Sequence, residues 1–160
     1  GMGGWQEYSV VDANVIGALR KVDTTHVPLS HYLGAVGMPG VTAWYGLVKI
    51  IQPKAGQTMV ISAATGAVGS AFGALAKARG CRVVGIAGGP DKCKYLTDEL
   101  GFDAAIDHRA HPDLKSMSKA LKAAWASVVA VIALTANDGV LVVRDRSQLK
   151  QGFVKLGQTG

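Results

Sequence analysis

The stretch Val60-Ile61-Ser62-Ala63-Ala64-Thr65-Gly66-Ala67-Val68-Gly69-Ser70 decides the fold. An apolar run enters a turn of small residues, and the turn opens a helix that reads on through Phe72, Leu75 and Ala76. A dinucleotide site needs that order. The strand delivers the turn, glycine lets the backbone approach a pyrophosphate, and the helix N-terminus offers free N–H groups and the positive end of its dipole. Gly69, with Gly73 one turn on, lets the helix lie close to the sheet. A bare G-x-x-G is weak evidence, because glycine turns before helices are common. The second apolar strand, Arg82–Ala87, supplies the βαβ context that gives the motif its meaning.

Downstream, the alternation of strand and helix continues. Gly80 suits a left-handed cap after the helix Ala67–Arg79, with Lys77 and Arg79 in its last turn. Pro90 suits the first position of the next helix, which buries Leu96 and Leu100 and is capped by Gly101. Ala104-Ala105-Ile106 is a short third strand. Pro112 opens a further helix with Leu114, Met117, Leu121 and Trp125 on one face. Val128–Thr135 reads as a fourth strand, but Ala136-Asn137-Asp138-Gly139 is a hairpin signal and Val140–Arg144 the returning strand. The expected fold is α/β: a Rossmann-like parallel sheet with helices on both faces, shortened, with an antiparallel β-hairpin near the C-terminus.

Upstream the pattern is looser. Trp5–Val11 alternates like a half-buried strand, and Leu29, Tyr32, Leu33 and Val36 share a helical face within Leu29–Gly37. Met38-Pro39-Gly40 is read as a break. A second helix then carries Thr42, Ala43, Trp44, Leu47, Val48 and Ile51 until Pro53 and Gly56 end it. Three regions follow from this: 1–52, a remnant of a catalytic domain with connecting helices; 53–125, the dinucleotide-binding βαβ core; and 126–160, C-terminal strands whose packing local rules leave open.

The bulk composition fits one domain with a core. The chain has 160 residues, 49% of them hydrophobic and 18% charged, which sets it apart from disordered chains. Val128–Leu134, the longest apolar run, is too short to span a bilayer, and no signal pattern opens the chain. No membrane association is expected. Gly1-Met2 is read as a remnant ahead of a start methionine. The two cysteines, Cys81 and Cys93, have neither disulfide-framework nor metal-ligand spacing, so no metal and a cytoplasmic location are expected. The net charge of +6 is spread without interleaved aromatics. That argues against nucleic acid and leaves either a solvated surface or attraction of an anionic ligand.

The residues after the second strand bear on cofactor choice. Sites for NAD place a carboxylate there to accept the ribose 2′-OH, but this chain reads Ile86-Ala87-Gly88-Gly89. Lys92 and Lys94 open the following helix, and His108-Arg109 follow the third strand. Cations without an acid fit the 2′-phosphate of NADP. The competing reading of Lys92 and Lys94 is a solvated helix face, and of His108 an ordinary surface histidine. His26, His31 and His111 have no partners at catalytic or metal spacing.

Several separated motifs carry a family resemblance: Gly4-Trp5-Gln6-Glu7-Tyr8, Leu33-Gly34 to Met38-Pro39-Gly40-Val41-Thr42-Ala43, Ala63 to Ser70, and Gly80 to Gly89. In order and spacing they resemble the zinc-independent medium-chain dehydrogenase/reductases, nearest to the NADPH-dependent alkenal, prostaglandin and curcumin reductases. The likeness runs from Gly4 to about Ala124; beyond Trp125 only Gly152-Phe153-Val154 is similar to a later family segment. The resemblance implies that Ala64, Gly66, Ala67, Val68 and Gly69 hold the pyrophosphate, and that Gly88 belongs to the same cofactor edge. It implies that Lys92 binds the 2′-phosphate, while Arg109 is a candidate by its charge after the third strand. His108 stands where the prostaglandin reductases carry a tyrosine. Met38 and Thr42 match residues lining the nicotinamide end, with packing at a helix break as the alternative. Asn137 aligns only loosely with a family asparagine.

The implied reaction is hydride transfer from NADPH to the β-carbon of an enone or alkenal, or reduction of a quinone, with the resulting enolate stabilised and protonated. No catalytic residue emerges; Tyr45 is the nearest by chemistry, and a tyrosine on an amphipathic helix usually packs. Family members are longer, so a shortened reading frame is expected. Two readings follow: an NADPH-dependent reductase represented mainly by its cofactor domain, or a non-catalytic NADP-binding or interaction module. A homodimer is expected to cover the sheet edge and apolar face that a shortened sheet exposes.

Overall fold

The computed structural model describes Glu7, Tyr8, Val10–Asp12, Asn14, residues 21–124, and the backbone of two strands at Val128–Thr135 and Gly139–Val143. Five strands form one sheet: β1 (Thr58–Ile61), β2 (Arg82–Ala87), β3 (Ala104–Asp107), β4 (Val128–Thr135) and β5 (Gly139–Val143), in the order β3-β2-β1-β4-β5. β1 pairs parallel with both β2 and β4, and β3 pairs parallel with β2. β5 pairs antiparallel with β4. The residues between them, 136–138, lie outside the described residues, as do Trp125, Arg144 and the Gly152-Phe153-Val154 segment.

β1 is buried along its whole length. Successive side chains of a strand face opposite sides, and the two faces form separate cores. On one side Met59, Ile61 and Val83 pack with Ala43, Leu47, Ile51, Phe72, Leu96 and Phe102. These come from helices α1 (Met38–Tyr45), α2 (Ala67–Ala78) and α3 (Pro90–Asp98) and their flanking segments. On the other side Val60, Val84 and Ile106 meet Met117, Ala120, Leu121 and Ala124 of and just beyond helix α4 (Leu114–Ala123). Burial of each large aliphatic side chain contributes about 1.5–3 kcal/mol. The helices thus lie on both faces, as a parallel sheet requires.

Two polar anchors join the layers. Lys77 Nζ at the end of α2 lies 2.8 Å from Asp103 Oδ1, while Asp103 Oδ2 accepts the Val83 N–H at 2.6 Å. Arg82 Nη1 donates to the Ala124 carbonyl at 2.7 Å, satisfying the C-terminal end of α4.

Several expectations upstream of the sheet need correction. Leu29–Gly37 is not an amphipathic helix: only Leu29–Leu33 forms a 3-10 turn with no buried residue, and Leu33 is 86% exposed. Met38-Pro39-Gly40 opens α1 instead of breaking a helix. Proline costs nothing in a first turn, where its missing N–H has no intrahelical partner. The helix then continues as a π-helical turn, Gly46–Ile51, closed by Gln52 at φ 52°. Tyr8 and Val10 are exposed and outside any strand, so the described part of Trp5–Val11 is not a half-buried strand. Leu114, expected on the packed face of α4, is 81% exposed.

Gly73 shows how tightly α2 is held. A Cβ there would overlap the ring of Phe102, which is itself buried. We expect Gly73→Ala to destabilise the protein by about 1–3 kcal/mol in urea denaturation. Paired with Phe102→Leu, the loss should be smaller than the sum of the two single losses, because both report one contact.

Candidate functional site

The C-terminal ends of β1, β2 and β3 lie on one edge of the sheet, and every turn singled out around the sequence motif leaves from it. β1 ends at Ile61, and the chain passes through Ala63, held at φ 46°, before α2 begins. The left-handed turn directs the Ala63 carbonyl back toward the helix start, where it accepts the Gly66 N–H at 2.9 Å. Gly66 is the N-cap of α2, and no side chain caps it. The first intrahelical bond runs from the Ser70 N–H to the Gly66 carbonyl, 2.9 Å. The N–H groups of Ala67, Val68 and Gly69 belong to the first turn, which offers unpaired donors and the positive dipole end. A Cβ on Gly69 would come within 2.5 Å of the Ala63 carbonyl oxygen and 2.9 Å of Ala64 Cα. Only glycine fits there.

Ala64, in the same turn, has a structural bond of its own. Its N–H donates to the Ile86 carbonyl of β2 at 3.1 Å, and its side chain is fully buried. It ties the turn to the neighbouring strand, and its N–H is spent on that bond.

Gly88, His108 and Arg109 come together. A Cβ on Gly88 would sit 2.8 Å from His108 Nε2 and 3.2 Å from Arg109 Nε. The turn after β3 thus lies directly over the turn after β2. The His108 N–H donates to the Ala87 carbonyl at 3.0 Å. Gly89 has φ 97°, a backbone region that other residues rarely adopt. Lys92 is exposed on the first turn of α3, which starts from this corner.

Asp107 is the residue that the sequence reading passed over. One carboxylate oxygen, Oδ1, accepts the Gly89 N–H at 2.8 Å and the Arg109 N–H at 2.9 Å. Those two bonds, with burial opposing and the charges of His108 and Arg109 assisting, hold its carboxyl below the usual carboxylate range. Its signal was present as the last residue of the third strand beside a basic pair, but no local pattern says that it reaches Gly89.

Met38 and Thr42 occupy one turn of α1, where the Thr42 hydroxyl donates to the Met38 carbonyl at 2.8 Å. Met38 is exposed, Thr42 half-buried, and α1 packs against α2. Tyr45 lies exposed on the same helix. Cys81 and Cys93 are free thiols whose pKa values burial pushes up. Among the described residues no group of three or more His, Cys, Asp or Glu side chains is placed to hold a metal ion, and no helix is long and apolar enough to cross a membrane.

A parallel sheet with helices on both faces and a glycine turn opening α2 defines a Rossmann-like nucleotide-binding domain. The profile of the family described as zinc-binding dehydrogenase matches residues 67–149, and the chain belongs to that family. It is similar to the NADPH-dependent curcumin reductase of Escherichia coli (strain K12), 46% identical over 120 residues, which covers 75% of this chain and 34% of that protein. It is also similar to the 2-alkenal reductase (NADP(+)-dependent) of Nicotiana tabacum, 44% identical over 119 residues, covering 74% and 34%. The crystal structure of CurA in complex with NADPH from Vibrio vulnificus superposes with a TM-score of 0.60 at 44% identity, covering 68% of this chain and 32% of that one. The chain spans about a third of the length of these relatives. The family resemblance read from the motifs agrees with them.

Acid should act on this corner and on two carboxylates elsewhere in the scaffold. Asp107 and Asp113, whose carboxylate accepts from Ser116 and Lys115, are both held below the usual range by hydrogen bonds. At Asp103 burial works against the charge, but Lys77, the Val83 N–H and Arg82 outweigh it. Because folding lowers these values, their stabilisation is complete above the unfolded carboxylate pKa, about 4, and is lost as pH falls through the folded values. The urea midpoint should be level from neutral pH to about pH 5 and fall below about pH 4, with a shallower fall in Asp107→Asn.

Proposed function

We propose that this chain is the NADP(H)-binding part of a reductase acting on enones, alkenals or quinones. The observation that carries the proposal is the shared edge of β1, β2 and β3. It brings an uncapped helix N-terminus, a glycine cradle and a basic corner into line. A Cβ has no room at Gly69 against the Ala63–Ala64 backbone, which seats the start of α2 close to the end of β1. The fit extends to charge: the side chains beside Gly88 are His108 and Arg109, and Lys92 follows on α3.

In this reading the N–H groups of Ala67, Val68 and Gly69 hold the pyrophosphate, with Gly66 giving the helix its uncapped start. Lys92, Arg109 and His108 face the 2′-phosphate. Asp107, at the end of β3, has one carboxylate oxygen engaged by two backbone N–H groups, and no carboxylate stands in the Gly88-Gly89 turn directly after β2. That favours NADP over NAD. Met38 and Thr42 on α1 belong to the nicotinamide end. Bound NADPH supplies the hydride, and the protein supplies position and electrostatics. Reduction of an alkenal or a curcumin-like enone follows from the likeness to the two reductases. Self-association is part of the same proposal, supported by the exposed Leu29, Leu33, Met38 and Val41 along the 3-10 turn and α1.

Calorimetric titration tests the reading. We expect micromolar affinity for NADPH, at least about tenfold tighter than for NADH; equal affinity for both, or binding of neither, overturns it. Lys92→Ala should weaken NADPH by about three- to tenfold and leave NADH unchanged. NADPH oxidation dependent on 2-alkenal or quinone would assign turnover to this chain, whereas binding without turnover would assign it the cofactor half alone. A monomer at micromolar concentration in sedimentation would remove the dimer.

A further inference from the structure

We infer that Asp107 is a positioning residue for the 2′-phosphate: it locks the glycine turn after β2 to the basic turn after β3, so that the two present one preformed phosphate corner. The inference rests on the NADP(H) reading above.

One oxygen does the joining. Asp107 Oδ1 accepts the Gly89 N–H from across 18 residues of sequence and the Arg109 N–H from two residues away. Neither turn belongs to a ladder at these positions: the paired residues of β2 and β3 stop at Ala87 and Asp107. Past that point the two segments are held by the His108 N–H to the Ala87 carbonyl, 3.0 Å, and by the Gly89 N–H to Asp107. Gly89 is in a left-handed conformation at φ 97°, and its N–H is the donor that Asp107 takes. Under this clamp the His108 and Arg109 side chains lie over Gly88, at the place a Cβ would fill.

The chemistry of the residue argues against a direct role. A carboxylate that read a ribose would accept hydroxyl hydrogens, and one that faced a phosphate would repel it. Asp107 instead spends one oxygen on two backbone donors, and the cations nearest to it are those of the turn it organises. In this inference it acts through Gly89, His108 and Arg109, which its Oδ1 holds in place. Removing the acceptor releases both turns, and the basic groups lose their fixed spacing. The α2 N-terminus belongs to a different turn, so pyrophosphate binding should be indifferent to the change.

Two probes separate these halves: 2′,5′-ADP carries both phosphates, whereas 5′-AMP lacks the 2′-phosphate. Calorimetry on the wild-type chain, Asp107→Asn and Asp107→Ala should show 2′,5′-ADP about tenfold weaker in the alanine variant. Affinity for 5′-AMP should change less than about twofold. The asparagine variant, whose amide oxygen accepts the same two N–H groups, should stay within about threefold of wild type for both probes. If the alanine variant loses its native circular dichroism, Asp107→Ser, with a side chain one bond shorter, is to give the same selective loss. Equal weakening of both probes, no weakening of either, or asparagine failing as badly as alanine would each overturn the inference. Failure of the wild type to prefer 2′,5′-ADP over 5′-AMP is a separate result, which removes the NADP reading and the inference with it.

Discussion

The contact between Gly69 and the Ala63–Ala64 backbone is the constraint on which the rest of the structure depends. A helix that starts this close to the end of a central strand has its first turn in the one place where three parallel strands finish. The closeness needs a residue without a Cβ at Gly69, with the Ala63 oxygen only 2.5 Å from where one would be. It also needs Ala63 to accept a left-handed conformation, φ 46°, a strain of the kind found where function requires a particular turn. Gly73, one helical turn on, repeats the condition against Phe102. Together they seat α2 on β1 and β2, and its unpaired N–H groups then lie at the sheet edge. Burial of Phe72 and Ala76 holds the helix there.

Charge at that edge is arranged with the same economy. Backbone donors stand at α2, cations stand after β2 and β3, and the Asp107 carboxylate between the two turns is held ionised by hydrogen bonds from the turns themselves. In the proposed reading an anion with two separated phosphate groups meets both halves. Stability and binding share these groups, because the bonds that depress the Asp107 pKa also set the shape of the corner. Asp103 works at the opposite end of the sheet, where it ties α2 to β2 through Lys77 and Val83. It stabilises the scaffold without touching the candidate site.

How much was legible follows from how local each signal is. The βαβ core reads directly. Glycine and proline mark the ends of α2 and α3, and continuous apolar runs mark β1 and β2. The N-terminal part reads poorly. Leu29, Leu33 and Val36 sit at helical spacing, yet they are exposed and only a 3-10 turn forms. Periodicity shows which residues could share a face but not whether anything lies against it. Pro39 was read as a breaker because its effect depends on position: within a first turn it removes no hydrogen bond. The site shows the same division. Gly66, Ala67, Val68, Gly69 and Lys92 entered as candidates through their motif positions and the family resemblance. Ala64 was placed at the pyrophosphate by resemblance, and only the structure shows that its N–H donates to the Ile86 carbonyl.

The sequence by itself determined the parallel α/β architecture, the glycine turn that opens α2, and the lack of a carboxylate directly after the second strand. Each depends on residues within one turn or one strand of one another, where chain geometry leaves little choice. Only the tertiary structure decided that Asp107 reaches Gly89, that His108 and Arg109 lie over Gly88, and that Phe102 needs the space at Gly73. Those contacts join separate segments. Their existence depends on strand order and register, which are set by how the two cores pack and not by any local pattern.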